Sequence, residues 1–199
     1  MTGLEAELDA LIAAGQLFHA RGWVPASGGN FSVRVDGRTL VTASGQHKGE
    51  LTPDSFVAVD AAGKVLDPGD RASAEAGLHA QVYGFDATAG AVLHTHSVAS
   101  TVLSRRLDQL VLRGYELLKI LEGISTHESE VRIPVFENDQ DIERLAARVG
   151  EAMSRGEGTL GYLTRGHGLY AWGANATLAR YRIEALEFLM ECELHAGVR

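Results

Sequence analysis

The run Ala91-Val92-Leu93-His94-Thr95-His96 constrains the fold more than any other segment of this chain. Its first three residues are apolar, and the run reads as a strand buried on both faces. A strand of that kind needs helices above and below its sheet. The flanking sequence supplies them. Ser73 is placed to cap a helix bearing Leu78, Val82 and Phe85, with Glu75 and His79 four apart on one face. Ser97 to Arg106 reads as the next helix.

The same alternation extends along the chain. Leu4, Leu8, Leu11, Ile12 and Phe18 recur at helical spacing over 3–21, and Thr2 with Glu5 suits a capping box. Phe31 to Val35 and Thr39 to Thr42 flank Asp36-Gly37, a strong hairpin signal. Phe56 to Asp60 and Lys64 to Asp67 read as a second pair of strands. Further on, the pattern gives a short helical piece at 114–122, a strand at 131–136 and a helix at 141–155. Two strands, Thr159 to Thr164 and Leu169 to Trp172, are separated by Arg165-Gly166-His167-Gly168. The last helix, 176–195, is expected to bury Leu178, Tyr181, Ala185, Leu189 and Cys192. These elements predict one α/β domain over residues 1–199, a mixed sheet with helices on its faces.

Composition narrows the function. With 45% hydrophobic and 22% charged residues the chain is an ordinary soluble protein, and no apolar run approaches the ~18–20 residues of a membrane span. The first ten residues are acidic and unlike a secretory signal, so a cytoplasmic location is expected. The lone Cys192 excludes an intramolecular disulfide and a cysteine-rich metal module. Twenty-six acidic against eighteen basic residues give a net charge of −8, which argues against a nucleic-acid partner and leaves a small anionic substrate open.

His94 and His96 project from the same face of a strand, so both imidazoles can reach one ion or simply hydrogen-bond in the core. His167, between two glycines in a turn, is the best third ligand, or a plain loop histidine. Ser27-Gly28-Gly29-Asn30-Phe31-Ser32 and Ala43-Ser44-Gly45-Gln46-His47-Lys48-Gly49 are turns whose N–H groups and hydroxyls suit a phosphate, with Ser73 and Lys48 as further donors. Taken alone, each is more often just an ordinary turn. Glu75 can reach a metal or pair with His79. Glu116 has apolar neighbours and would have a raised pKa if its face were partly buried. His19, His47, His79, His127 and His195 are read as structural, and Cys192 as core. No Walker A pattern, dinucleotide-binding glycine fingerprint or Gly-x-Ser-x-Gly elbow is present.

Taken in order, Ser27 to Ser32, Thr42-Ala43-Ser44-Gly45, Ser73-Ala74-Glu75, His94-Thr95-His96 and His167-Gly168 resemble the class II aldolase family, which includes sugar-phosphate epimerases and dehydratases. The resemblance spans nearly the whole chain and lies in the order and separation of the motifs. Arg21-Gly22-Trp23, Gln46 to Gly49, Tyr115-Glu116-Leu117-Leu118-Lys119 and Gly168 to Gly173 are most similar to the dehydratases of that family.

The resemblance implies a three-layer α/β/α sandwich with a largely antiparallel central sheet, assembled as a cyclic homotetramer with active sites near subunit contacts. It implies one zinc ion per subunit on His94, His96 and His167. It places the phosphate of a small sugar on Ser27, Gly28, Gly29, Asn30, Ser44, Gly45 and Ser73. The dehydratase acid/base position falls on Glu116, and Glu75 matches the acid/base glutamate of the fuculose-phosphate aldolases. On a 2-ketose 1-phosphate, zinc at the C2 and C3 oxygens would acidify the C3 proton, and loss of the C4 hydroxyl would need a proton donor. An aldolase would use the same metal enolate and cleave C3–C4 instead. Three readings follow: dehydratase, then aldolase or epimerase on another sugar phosphate, then a zinc and sugar-phosphate binding module without turnover.

Overall fold

A computed structural model describes residues 3–197, so Thr2 of the expected capping box lies outside the described residues. Helix α1 (Gly3–Ala20) leads into β1 (Asn30–Val35), β2 (Arg38–Thr42) and β3 (Phe56–Val59). Then follow α2 (Ala76–Phe85), β4 (Ala91–Thr95), α3 (Val98–Arg106), β5 (Gln109–Leu112) and β6 (Val131–Phe136). The chain continues through α4 (Ile142–Ser154), β7 (Tyr162–Thr164), β8 (Gly168–Gly173) and α5 (Ala176–Ala196). The strands form one sheet in the order β3-β2-β1-β4-β8-β7-β6-β5, antiparallel everywhere except between β6 and β7.

The apolar run is the inner strand β4, held between β1 and β8, with all five of its residues buried. Its side chains alternate between two cores. Ala91 and Leu93 pack in the core shared with Leu11, Phe18, Leu103, Ile183 and Leu186 of α1, α3 and α5. Val92 packs with Leu78, Val82, Leu145 and Val149 of α2 and α4. A buried side chain of this size is worth about 1.5–3 kcal/mol, so each layer is fixed to the sheet by its own set of contacts. The expected three-layer α/β/α sandwich with a largely antiparallel sheet is the architecture found.

The differences have local causes. Residues 64–67 do not form the expected strand; a single bridge joins Val65 to Val59, and the segment turns away toward α2. Residues 109–112 form the edge strand β5, which nothing in the sequence marks, because one partner and one covered face leave a weak pattern. In α5 the buried face runs through Ala179, Ile183, Leu186 and Met190 as well as Ala185 and Leu189. Leu178 and Tyr181, expected inside, are 49% and 47% exposed, and Cys192 is only partly buried. The Asp36-Gly37 turn has positive φ at both positions, as the hairpin requires. Among the described residues no helix is long and apolar enough to cross a membrane.

Candidate metal and phosphate site

Strand alternation builds the site. Across β1, β4 and β8, Asn30 pairs with His94 and His94 with Tyr170, so the three side chains stand in one row on the α2 side of the sheet. The Tyr170 ring stacks on His94, with centroids 3.8 Å apart and planes 10° off parallel. Thr95 points to the opposite layer, where its hydroxyl donates to the buried carboxyl of Glu187. His96 lies just past the strand end, and its N–H donates to the Trp23 carbonyl at 2.7 Å. His167 sits in the tight turn between β7 and β8, with its carbonyl accepting from Thr101 Oγ1 at 3.1 Å.

Glycines let these pieces meet. A Cβ on Gly168 would lie 1.9 Å from the Thr95 carbonyl oxygen, and one on Gly28 would lie 2.9 Å from His96 Nδ1. Only a bare backbone fits at either place.

Three imidazoles converge as a result. His94 Nε2 is 2.8 Å from His96 Nε2 and 3.4 Å from His167 Nε2. Glu75 closes the group, with Oε2 3.5 Å from His94 Nε2 and Oε1 3.4 Å from His167 Nε2. The four ligand atoms all lie within 4.8 Å of one another, close enough to hold a metal ion. His94 Nδ1–H donates to the Leu169 carbonyl at 2.9 Å, which leaves Nε2 bare and aimed at its neighbours. Burial holds His94 well below the usual histidine range and His96 at about 4, with the adjacent imidazoles adding to both. Neutral imidazoles with crowded lone pairs, plus one carboxylate, are a donor set that suits a borderline divalent ion such as zinc.

Helix α2 begins later than expected. Its N-cap residue is Glu75 rather than Ser73, and the Glu75 side chain makes no capping bond. That carboxylate is therefore available to the histidines. The Ser73 carbonyl instead accepts from the N–H of Ala76, and Ser73 Oγ accepts from the N–H of Glu75 at 3.4 Å. The considered pair between Glu75 and His79 does not form, because His79 turns inward to Ser32 and Asn30.

Beside the histidines lies a polar cavity of about 340 Å³. Every residue singled out for phosphate lines it: Ser27, Gly28, Gly29, Asn30, Ser44, Gly45, Lys48 and Ser73, together with Glu75, His96 and His167. Lys48 is buried, and its Nζ donates to the carbonyls of Ser27 at 2.7 Å and Gln46 at 2.6 Å. It thus ties the two turns together and keeps one N–H free for an anion. Burial lowers its pKa to about 8, against the opposing pull of Glu75. The ammonium is the anion-binding form. Affinity for a ketose 1-phosphate is therefore expected to fall as pH rises through about 8. Lys48→Met should weaken binding by tenfold or more, since a charged hydrogen bond contributes ~1.5–3 kcal/mol, and should flatten that pH dependence. Calorimetric titration at several pH values checks both expectations.

The loop before α4 also lines the cavity, through Asn138, Asp139 and Gln140, with Ile142 at the first residue of α4. No motif in the sequence signals it. Asn30 differs from its expected part, since its side-chain amide is taken up by Glu75 and His79.

Glu116 stands apart. Its side chain is 74% exposed and paired with Lys119 at 2.6 Å, and it lines a separate, mostly apolar hollow of about 810 Å³ with Tyr115, Ile120, Tyr181 and Phe188. The partial burial that would raise its pKa is absent in the single chain. The hydrogen bond and charge of Lys119 lower it instead.

The profile of the family described as Class II Aldolase and Adducin N-terminal domain matches residues 9–194. The chain belongs to this class II aldolase family. Among class II aldolase relatives, the methylthioribulose-1-phosphate dehydratase of Pseudomonas paraeruginosa is 53% identical over 187 residues, 92% of this chain and 91% of that protein. The enzyme of the same name from Azotobacter vinelandii is 50% identical over 187 residues, again 92% and 91%. Among solved structures, the L-fuculose-1-phosphate aldolase from Thermus thermophilus superposes with a TM-score of 0.77 at 30% identity, covering 96% of this chain and 95% of that one. One of these names is a dehydratase and the other an aldolase, so class II aldolase membership settles the fold without by itself settling the reaction.

Proposed function

We propose that this protein is a zinc-dependent hydro-lyase that converts 5-methylthioribulose 1-phosphate into 2,3-diketo-5-methylthiopentyl 1-phosphate and water, in methionine salvage. The observation that carries this reading is the 53% identity with a methylthioribulose-1-phosphate dehydratase along 92% of the chain. We assign His94, His96 and His167 as ligands of one zinc per subunit, with Glu75 against them. A bound ion there supplies Lewis acidity toward the substrate oxygens.

The chain's own groups account for the rest. Lys48, the turn at 27–29 and residues 44–45 and 73 hold the phosphate and so fix the sugar along the cavity. The C3 proton passes to a base, the C4–O bond breaks, and the departing hydroxyl takes a proton and leaves as water. The resulting enol becomes the diketone. Glu75 is the carboxylate already inside the cavity. Glu116 is assigned as the proton donor to the leaving hydroxyl, delivered by a neighbouring copy in a cytoplasmic homotetramer of single-domain subunits covering residues 1–199. Packing against exposed Ile120, Tyr181 and Phe188 would remove water from Glu116 and raise its pKa toward that of a working acid.

A second reading, aldol cleavage, is favoured by the fold shared with the L-fuculose-1-phosphate aldolase and by the carboxylate of Glu75 at the histidines. Incubation of the protein with methylthioribulose 1-phosphate distinguishes them. Formation of the diketone is expected. Cleavage to two smaller carbonyl compounds would replace the dehydratase reading, and binding without either product would leave only a binding module.

A further inference from the structure

Behind Glu75 runs a line of hydrogen bonds that the proposed reaction does not use. Tyr83 Oη is 2.8 Å from Ser32 Oγ, and Ser32 Oγ is 2.7 Å from His79 Nδ1. His79 Nε2 is 2.5 Å from Asn30 Oδ1, and Asn30 Nδ2 is 2.6 Å from Glu75 Oε2. Asn30, Ser32, His79 and Tyr83 are all buried. Two periodicities interlock to make the line: Glu75, His79 and Tyr83 follow one another at four-residue steps along α2, and Asn30 and Ser32 share one face of β1.

The direction of each bond follows from its fixed end. A carboxylate only accepts, so Asn30 must turn its NH2 toward Glu75. It then presents Oδ1 to His79, whose Nε2 must carry the hydrogen. Burial lowers the His79 pKa to about 3, so the ring is neutral and its Nδ1 accepts from the Ser32 hydroxyl. Ser32 in turn accepts from Tyr83. Every polar atom in the line has one possible role.

We infer that His79 is a positioning residue that locks the Asn30 amide in the single orientation able to hold Glu75 against His94 and His167. With the amide reversed, Oδ1 would face the carboxylate, two acceptors in contact, and Glu75 would be driven from the histidines. The inference rests on reading the histidine cluster as a metal site, and it deepens that reading by naming what orients the carboxylate.

The test compares His79→Leu and His79→Gln by zinc affinity in chelator competition, by kcat and KM on the sugar phosphate, and by thermal unfolding. His79→Leu is expected to lose about 10–100-fold in zinc affinity, the usual cost of removing an outer group that supports a metal site, with kcat lowered and KM little changed. His79→Gln keeps an N–H for Asn30 and should recover most of both. In a Glu75→Ala background His79→Leu should cost no further zinc affinity, because its effect passes through Glu75. Asn30→Asp accepts from His79 but cannot donate to Glu75, so it should repeat the loss even if His79→Leu fails to fold. Native zinc affinity in His79→Leu or Asn30→Asp would overturn the inference. So would equal damage from Leu and Gln, or an undiminished effect without Glu75. Zinc affinity is independent of substrate, so a native protein that fails to dehydrate methylthioribulose 1-phosphate would sink the reaction assignment and leave this result standing.

Discussion

Replacing both His94 and His96 by alanine is expected to remove the metal and at least ~10³-fold of the turnover, several kcal/mol of transition-state stabilisation. The two single variants should part company in stability. His94 is fully buried and stacked on Tyr170, so alanine there empties part of the α2-side core as well as the ligand position. Large-to-small core changes cost about 2–5 kcal/mol, or roughly 5–20 °C in a chain of this size. His96 lies past the strand end and is only partly buried, so His96→Ala should lose metal while unfolding close to the metal-free native protein. Elemental analysis together with thermal unfolding measures both effects. Stoichiometric zinc retained by the double variant would refute the ligand assignment.

Glu116→Gln is expected to slow dehydration by about 10²–10⁴-fold, the usual share of a general acid, with zinc content and fold unchanged. The glutamine keeps the size of the side chain and loses the transferable proton. Because Glu116 lines a different hollow from the histidines of its own chain, the proposed role requires a neighbouring copy to bring it to them. Mixing Glu116→Gln with His96→Ala subunits should then restore part of the activity, since some sites would combine intact histidines with an intact Glu116. No recovery on mixing, with each variant still folded and the first still metallated, would place both groups in one chain's site or remove Glu116 from it. Near-native turnover of Glu116→Gln beside an inactive Glu75→Gln would move the acid/base role to Glu75.

The residues that gather around the histidines and line the cavity beside them were legible in the sequence because their spacing follows backbone geometry. His94 and His96 lie two apart on a strand, and the Gly/Ser turns carry their own conformational signal. Burial on α5 was harder, since a long helix touching several partners buries more than one narrow stripe; Leu178 and Tyr181 fell on its open flank. The part played by His79 was not visible either. Its tie to Ser32 and Asn30 joins residues 47 and 49 positions apart, and only the packing of α2 on β1 brings them together. The cavity wall at Asn138 to Ile142 carries no motif, because its placement comes from the crossing of β6 into α4.

The alternation of side chains along β4 has an evolutionary consequence. Leu93 and Thr95 answer to one helical layer, and Val92 and His94 to the other, although they are immediate neighbours in the chain. Substitutions that tune the chemistry can accumulate on the α2 side while the α5 side drifts under packing demands alone. Deleting or inserting one residue in the strand would exchange the two sets at once, burying imidazoles in the wrong core. Point changes at the cavity rim are therefore the open route by which such a scaffold acquires a new reaction, and length changes within β4 are closed to it.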